Sequence, residues 1–313
     1  MGYITKFGTI WGQIPQTNGN VYWVAPAASY VVEGRTYPAS DQNDGLSPER
    51  AVLTLDNAVG RCAATAGDVI VLLPGAHSWS ASVAVDVAGI TITGLPSGKG
   101  HPGHKRTSIT TSATADEVLN VTAANVEISH LRVIPITAAT AIDYTAAADN
   151  LYVHDCSFDM YTPAVSTSTK GIAPTTALIN ADHLRIENCY FETDGAQGFM
   201  VDVGSCTGYI VEGNTFINTA GVLATACEDT GLTAGIGVWI GNRMLAIGTA
   251  TITKGINGGD KVNTESSGFL GNFFGGIITT PIDTYGAGDA WIAENYKSSI
   301  GNSSGGALIV AIT

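Results

Sequence analysis

One short sequence pattern recurs through most of this chain. It consists of residues that alternate apolar and polar, a small or polar corner residue, and then an aromatic or aliphatic residue. It is clearest in LRIENCYFET, residues 184–193, and it returns in LYVHDCSFDM, YIVEGNTFIN, GVWIGNRMLA, SGFLGNFFGG and AWIAENYKSS. Aligned on the corner, the copies give one column: Leu131, Cys156, Cys189, Asn214, Asn242, Asn272 and Asn295. The spacing varies from 23 to 33 residues, and repeats of this length are typical of solenoids and propellers.

The content of the repeats favours a parallel β-helix. Short alternating runs of Val, Ile, Thr, Phe and Tyr between Gly, Asn, Asp and Ser indicate strands, and no helical period separates them. A propeller blade needs four hairpin-linked strands in about 40 to 45 residues, which is longer than these repeats. A parallel β-helix accepts variable repeats because each coil stacks on the next while extra residues leave the coil at its corners. The sequence therefore predicts an all-β, single-stranded parallel β-helix.

The corner column predicts a ladder along the axis of that β-helix. Neighbouring coils lie about 4.8 Å apart, so Cys156 and Cys189 are expected to stack, followed by the four asparagines. Asparagine tolerates the left-handed conformation that a sharp corner requires, and its amide can bond to the next amide in the column. These residues are therefore predicted to be structural and not catalytic.

The N-terminal stretch NDGLSPERAVLTLDNAVGRCAATAGDVIVLLPGAH, residues 43–77, differs in kind. Ser47 as N-cap, Pro48 at the first helical position and Gly67 as terminator predict one amphipathic helix. Such a capping α-helix would cover the strand edge that the first coil otherwise exposes. We therefore predict four segments: a docking arm over 1–22, a capping segment with one α-helix and the first strand over 23–80, β-helix coils over 81–300, and an apolar strand for oligomer contact over 301–313.

Charge and cysteine content limit the partners and cofactors. Lys and Arg total 14 against 27 Asp and Glu, a net charge of −13, which repels nucleic-acid phosphates and anionic lipid surfaces. No cationic start precedes an apolar run, and no stretch approaches about 18 consecutive apolar residues, so neither a signal peptide nor membrane insertion is expected. The five cysteines are widely spaced and form no C-x-x-C pair, so no disulfide framework, metal site or cofactor is expected.

Four stretches carry a resemblance to known proteins: VYWVAP, DQNDGLSPERAVLTLDNAV, AGDVIVLLPGAH and ITITG. With the coils that follow them, they resemble the right-handed parallel β-helix proteins of the pectate-lyase-like superfamily, in particular the branch that bacteriophages carry as virion proteins. The resemblance implies a right-handed coil, a place on the virion surface after assembly in the host cytoplasm, partners among capsid or tail proteins, and a homotrimer. It leaves the activity open, because the superfamily includes lyases, glycoside hydrolases and inert structural proteins.

The catalytic motifs of those enzymes are missing from this sequence. Polygalacturonase-like enzymes carry N-x-D, D-D, G-H-G and R-I-K in successive coils, whereas this chain has RIEN at 185–188 and neither D-D nor G-H-G. Pectate lyases carry W-x-D-H followed by R-x-P-x-x-R, and the nearest stretches here, ADHLRIEN and VHDCSF, have no Arg pair downstream. Both signatures therefore fail.

Carboxylates outside any motif remain weak catalytic candidates. Asp155 and Glu187 are placed at equivalent positions just before the cysteine column, where proximity would raise the pKa of one of them and suit acid catalysis. The further acidic candidates are Asp159, Glu192, Asp194, Asp202 and Glu212. A solvated acidic stripe that keeps the surface soluble is the plainer explanation.

Two segments are candidates for docking to another protein. The loop GKGHPGHKR, residues 98–106, concentrates Lys99, His101, His104, Lys105 and Arg106, which suits an acidic partner such as a capsid lattice, although an exposed polar loop needs no partner. The first 20 residues include Phe7 and Trp11 and carry more apolar surface than a free arm would expose.

The leading hypothesis is a non-enzymatic virion structural protein, as a head decoration, spike or fibre-like module. The alternatives are a tailspike-type depolymerase, acting as a polysaccharide lyase or glycoside hydrolase, and a carbohydrate-binding adhesin. Both alternatives would act on a bacterial surface polysaccharide.

Overall fold

The chain folds as a right-handed parallel β-helix, and the predicted fold class is confirmed. The computed structural model describes residues 17–32, 34–95, 107–111, 117–135, 140–160, 170–176, 181–194, 199–229, 237–260, 267–285, 291–298 and 307–309. Within these ranges lie thirty strands, β1 to β30 in chain order, with one α-helix and one 3₁₀ turn.

Three long sheets contain nearly all of these strands. Sheet A consists of β1 (Val21–Val24), β4 (Val69–Leu72), β7 (Thr91–Gly94), β10 (Glu127–Ser129), β13 (Tyr152–His154), β16 (Arg185–Glu187), β19 (Tyr209–Glu212), β22 (Gly237–Ile240), β25 (Gly268–Leu270) and β28 (Trp291–Ala293). Sheet B consists of β5 (Gly75–Trp79), β8 (Thr107–Thr111), β11 (Arg132–Val133), β14 (Ser157–Met160), β17 (Tyr190–Thr193), β20 (Thr215–Asn218), β23 (Arg243–Ala246), β26 (Phe273–Gly275), β29 (Asn295–Lys297) and β30 (Ala307–Ile309). Sheet C consists of β6 (Val83–Val85), β9 (Leu119–Val121), β12 (Thr140–Tyr144), β15 (Lys170–Pro174), β18 (Val201–Asp202), β21 (Val222–Glu228), β24 (Thr251–Asp260) and β27 (Ile277–Tyr285). A separate hairpin joins β2 (Ser29–Val32) to β3 (Arg35–Pro38).

From β4 to β27 the strands follow in the order sheet A, sheet B, sheet C, so each of these eight coils contributes one strand to each sheet. The pairing registers confirm the predicted alignment of the corners. For example, Ser157 of β14 pairs with Tyr190 of β17, which pairs with Thr215 of β20, so the residues before them, Cys156, Cys189 and Asn214, lie in one column.

The prediction that the ladder residue itself takes the left-handed conformation is wrong. In each corner of the column, the residue before the ladder residue has the positive φ. His130, Asp155, Asn188 and Glu294 have φ between 51° and 57° at this position, and Gly213, Gly241 and Gly271 have φ between 61° and 66°. The corner thus needs two residues. The first bends the chain from sheet A toward sheet B, often at no steric cost as glycine, and the second turns its side chain into the molecule.

The interior is a stack of side chains repeated from coil to coil. The rings of Phe158 and Phe191 lie 4.4 Å apart at 5°, and those of Phe191 and Phe216 lie 4.9 Å apart at 17°. All three side chains are fully buried, as the alternating pattern predicts. Burial of one phenylalanine is worth about 1.5 to 3 kcal/mol, so the repeated interior supplies much of the stability.

The prediction of one long N-terminal helix is wrong. The segment forms a 3₁₀ turn over Pro48–Arg50 and a short helix α1 over Leu55–Val59, which is capped by Thr54 and not by Ser47. The chain is extended between them because Val52 pairs with the backbone of β1: its N–H donates to the carbonyl of Trp23 and its carbonyl accepts from Ala25 N–H. These sheet bonds exclude a continuous helix.

Helix α1 nevertheless lies at the N-terminal end of the stack. It contacts β1 and β6, the first strands of sheets A and C, and buries Leu55, Ala58 and Val59 in the main core. The structure also places coil strands β1, β4 and β5 before residue 81. At the other end, β30 pairs antiparallel with β29 of the same chain, so the edge of β29 is covered within the chain.

All five cysteines are free thiols, and Cys156, Cys189, Cys206 and Cys227 are buried. Over the ranges that the structure describes, no helix is long and apolar enough to cross a membrane.

Candidate functional sites

Polar side chains gather on the outer faces of sheets A and C, and these two faces are the candidate sites. The predicted docking residues Phe7, Trp11, Lys99, His101, His104, Lys105 and Arg106 lie outside the described residues. Both docking segments therefore stay predictions.

The cluster on sheet A is built by strand alternation. Ile128, Val153 and Ile186 face the core, so their neighbours point outward. The outward side chains are linked in two groups. His154 bonds through Nε2 to Glu127 at 3.1 Å and through Nδ1 to Asp155 at 2.8 Å.

The second group of this cluster centres on Glu187, which is largely buried. One carboxylate oxygen accepts from the Tyr152 hydroxyl at 2.7 Å and the other from the Arg185 guanidinium. The Arg185 guanidinium also lies over the Tyr152 ring, 5.1 Å from its centre, and Tyr152 stacks on His154 with ring centres 4.4 Å apart. The group centred on His154 and the group centred on Glu187 are thereby joined through the stacked rings of Tyr152 and His154.

The predicted equivalence of Asp155 and Glu187 is wrong by one residue. Glu187 pairs with His154 across the sheet, so Asp155 aligns with Asn188. The Asp155 backbone N–H donates to the Glu187 carbonyl at 3.1 Å, but the two carboxylates bind different partners. Counting back from each cysteine gives this register: Asp155 stands directly before its cysteine, whereas Asn188 separates Glu187 from Cys189.

The charges of the sheet A cluster indicate that its role is to stabilise the stacking of neighbouring coils. Burial alone would lower the pKa of His154, but its bonds to Glu127 and Asp155 outweigh burial and raise the pKa to about 9. Burial and the adjacent Glu187 raise the pKa of Tyr152. The cations and carboxylates of the cluster thus bind one another, which leaves Asp155 and Glu187 as weak candidates for catalysis.

Two other sequence candidates bind neighbours on sheet B. Asp159 accepts from Arg132 Nε at 2.7 Å, and Glu192 accepts from the Tyr190 hydroxyl at 3.0 Å. The first contact joins β11 to β14, whereas the second lies within β17.

The outer face of sheet C carries a column of carboxyl and amide groups. Asp202 of β18 pairs with Glu228 of β21, which pairs with Asn257 of β24, which pairs with Asp283 of β27. Asp143 of β12 lies in the same column two coils before Asp202, because both flank Ala173. Neighbouring members are about 4.8 Å apart along the axis.

Burial perturbs three of these carboxyl groups. It raises the pKa of Glu228 to about 7, although the Asn257 amide opposes the shift. It raises the pKa of Asp143 to about 6 against a bond from Thr140, and it raises the pKa of Asp202, which accepts a backbone bond from Gly204. Perturbed carboxyl groups of this kind are typical of functional sites, although structural networks produce them too.

Two lysines accompany the column. Lys254 Nζ lies 2.7 Å from Asp283 Oδ2, and Lys170 Nζ lies 5.6 Å from the centre of the Phe199 ring. Asn257 Nδ2 donates to Glu228 Oε1 at 3.3 Å. The column therefore places Glu228, which is partly protonated near neutral pH, two coils from Asp283, which is paired with Lys254.

Sequence reasoning named Asp202 among its candidates but missed Asp143, Glu228 and Asp283. A signal was present: the stretches AID, MVD, ACE and PID each end a run of small or apolar residues with an acid. It was hard to align because loops of different length separate the stretches, unlike the tight corner between sheets A and B. Within the described ranges, no group of three or more His, Cys, Asp or Glu side chains is placed to hold a metal ion.

Comparison with known proteins supports the fold and no more. No protein-family model matches the sequence, and no curated protein matches it. A pectin methylesterase mutant solved with a hexasaccharide matches with a TM-score of 0.58 at 11% identity, over 93% of this chain and 92% of that chain. Pectin methylesterase PemA from Erwinia chrysanthemi matches with a TM-score of 0.57 at 11% identity, over 93% and 92%, and rice weevil pectin methyl esterase with 0.52 at 15% identity, over 85% and 92%. At such identities these enzymes share the β-helix architecture with this chain, and a fold of this kind serves many chemistries.

Proposed function

We propose that the protein is a structural β-helix of a bacteriophage virion, exposed on the particle as a head decoration, spike or fibre-like module. The phage origin rests on the resemblance of the sequence. The observation that carries the assembly role is an apolar stripe on the C-terminal coils, defined by Val222, Ile247, Phe273, Ile277 and Tyr296, whose side chains are 37% to 65% exposed.

The stripe takes its residues from four successive coils. Phe273 of β26 pairs with Tyr296 of β29 on sheet B, and Val222 of β21 and Ile277 of β27 both pair with Thr251 on sheet C. Five of the seven large apolar side chains that are exposed among the described residues belong to the stripe. Exposed apolar surface that is clustered in this way marks a protein contact, and closed symmetry is the usual means of burying it. Two further copies of this chain are the proposed occupants.

The experiment for this role has two measurements. Antibodies against the purified protein should label intact phage particles in immunogold electron microscopy, and static light scattering should give a trimer in solution. Absence of the protein from purified particles would refute the virion role, whatever its oligomeric state.

The second candidate function is hydrolysis of a bacterial surface polysaccharide, and the column on sheet C favours it. Glycoside hydrolases need one protonated carboxyl group to donate to the leaving oxygen and a second carboxylate to act on the other face of the sugar. Glu228, with its pKa near 7, suits the first task. Asp283 lies two coils further on, at about 9.6 Å along the axis, just above the range of about 6.5 to 9.5 Å between the carboxyl groups of inverting enzymes.

Purified host capsule or lipopolysaccharide is the substrate for the test, with release of reducing ends as the readout. If sheet C is catalytic, Glu228→Gln and Asp283→Asn each abolish release, while the sheet A double variant Asp155→Asn/Glu187→Gln retains it. Release that is lost only in the sheet A variant would place the chemistry at the other face. No release by the unmodified protein would leave the structural role as the better account.

A further inference from the structure

A pocket of about 730 Å³ opens at the N-terminal end of the molecule and shares no lining residue with either candidate site. Its walls come from three places: the residues after β1, the start of helix α1, and the end of β5 with the link to β6. The lining residues are Ala25, Pro26, Ala27, Leu53, Thr54, Asp56, His77, Ser78, Trp79, Ser80, Ala81, Ser82 and Val83. Pockets of 300 to about 1,000 Å³ are usual for small ligands.

The lining combines an apolar floor, one aromatic ring and a rim of hydroxyl groups. Leu53, Pro26 and Val83 supply apolar surface, Trp79 presents a half-buried indole, and Ser78 and Ser80 are exposed at the rim. Because the flat face of a sugar ring is lined by C–H bonds and its edge by hydroxyls, an aromatic ring beside hydrogen-bonding groups suits it.

The charge of the pocket limits further which ligands can bind there. Asp56 is the one acidic side chain among the described lining residues, and burial lowers the pKa of His77 to about 4, so the imidazole adds no positive charge. A carboxylate accepts hydrogen bonds from sugar hydroxyls. It repels uronic acids and other acidic sugars, as does the net charge of −13 on the chain.

Two polar atoms of the pocket wall have no hydrogen-bond partner in the described structure, and both are buried: His77 Nδ1 and Ser82 Oγ. The other ring nitrogen of His77, Nε2, donates to the Leu73 carbonyl at 2.8 Å, since a carbonyl can only accept. Nδ1 is then the unprotonated nitrogen and needs a donor. Unsatisfied buried polar atoms are costly and point to an absent water or ligand.

From the shape, the indole and the unsatisfied atoms, we propose that this pocket binds one or two sugar residues of a neutral glycan. The sugar stacks on Trp79 and donates hydroxyl hydrogen bonds to Asp56, and the pocket wall moves on binding so that a hydroxyl, or the water that it orders, donates to His77 Nδ1. The pocket is a binding site and performs no chemistry. It is independent of whether the sheet C column cleaves a polysaccharide, because the two sites share no residue.

The test uses the full-length protein and a panel of neutral monosaccharides: glucose, galactose, mannose, rhamnose and N-acetylglucosamine, at tens of millimolar. Nitrogen-detected NMR of the histidine rings follows His77 Nδ1 directly, because its resonance moves when it accepts a hydrogen bond. We expect a saturable shift with at least one sugar, and a dissociation constant in the millimolar range.

Variants connect the shift to the pocket. Trp79→Ala should weaken binding by about tenfold, while Trp79→Phe keeps a ring and most of the affinity. Asp56→Asn, at an exposed position, should weaken it severalfold, whereas the matched control Asp86→Asn, exposed and outside the pocket, should not. The proposal is overturned by the absence of any saturable shift, or by a shift that survives both Trp79→Ala and Asp56→Asn.

Discussion

Asn214 and Asn242, one coil apart, are joined by two hydrogen bonds to a single oxygen. Asn242 Oδ1 accepts from the Asn214 backbone N–H at 3.0 Å and from its side-chain Nδ2 at 3.1 Å. The same pair of bonds links Asn242 to Asn272 and Asn272 to Asn295. Each amide also donates to a backbone carbonyl, as Asn242 does to Val211 at 2.8 Å. The ladder therefore satisfies buried backbone groups at every corner that it passes.

Replacing Asn242 by leucine should lower the free energy of unfolding by about 3 kcal/mol, since each buried group left without a partner costs ~1 to 3 kcal/mol. Asn214 N–H and the Val211 carbonyl are the groups that lose their partners. Urea denaturation measures the loss. Thr253→Leu, at an exposed position of β24, is the control and should change little. An Asn242→Leu variant as stable as the control would refute the structural role of the ladder.

Gly241→Ala should destabilise the protein by about 1 kcal/mol through backbone strain alone. Gly241 has φ of +61°, and a Cβ added there would meet no atom within 4 Å, so only the left-handed conformation opposes a side chain. Gly241→Asn should cost less, because Asn188 holds the equivalent corner of an earlier coil at φ 51°. Equal losses for Ala and Asn in thermal denaturation would contradict this account.

Gly276→Ala serves as the steric comparison for that experiment. A Cβ at Gly276 would clash with the Ala246 carbonyl oxygen, so the clash adds to the strain and the loss should be clearly larger than at Gly241.

The sequence predicted the corner column because its physical cause is local. In the coils that begin with β10, β13, β16, β19, β22 and β25, two residues make the turn between sheets A and B, so residues such as Cys189 and Asn214 keep their place relative to the flanking strands. The column on sheet C has no such marker: the segments between sheets vary in length, and only the strand pairing shows that Glu228 lies beside Asp202.

The predicted long helix failed for a different reason. The apolar residues do recur with a helical period, and Leu55 and Val59 do face the core. Val52, however, pairs with β1 through hydrogen bonds between residues far apart in sequence. Helix propensity depends on the local sequence alone and therefore does not report the competing pairing with β1.

The bonds of His154 should make stability fall as pH rises through the pKa of this residue. The folded pKa of about 9 exceeds the ordinary value of 6.5, so the folded state holds the proton more tightly. The contribution is fully present below about pH 6.5 and is lost as the pH passes 9. Comparison with His154→Gln isolates it: the difference in melting temperature should be largest at pH 6 and vanish near pH 10. A difference that does not change with pH would show that the ion pairs contribute nothing.

Glu228→Gln should stabilise the protein in mildly alkaline solution. The folded pKa of Glu228, about 7, lies above the ordinary value of 4.5, so the wild-type protein loses stability as the pH rises from 4.5 to 7 and the buried carboxyl ionises. Glutamine cannot ionise and keeps Oε1 for Asn257. The variant should therefore melt higher than wild type at pH 8 and equally at pH 4.5. Glu212→Gln, exposed on sheet A, is the control, and a matching gain there would remove the argument for Glu228.

We expect the protein to be the homotrimer that the resemblance implies, with two residues of the apolar stripe holding the trimer together. Phe273 and Tyr296 are 37% and 47% exposed and pair on neighbouring strands, so the double change to serine removes the centre of the contact without opening the core. Light scattering at micromolar concentration should give three times 32.2 kDa, about 97 kDa, for the wild-type protein and 32.2 kDa for the double variant. Val31→Ser, 66% exposed on the N-terminal hairpin, should remain trimeric. The trimer would be excluded by a monomeric wild-type protein, and the stripe would be excluded as its interface by a double variant that stays trimeric.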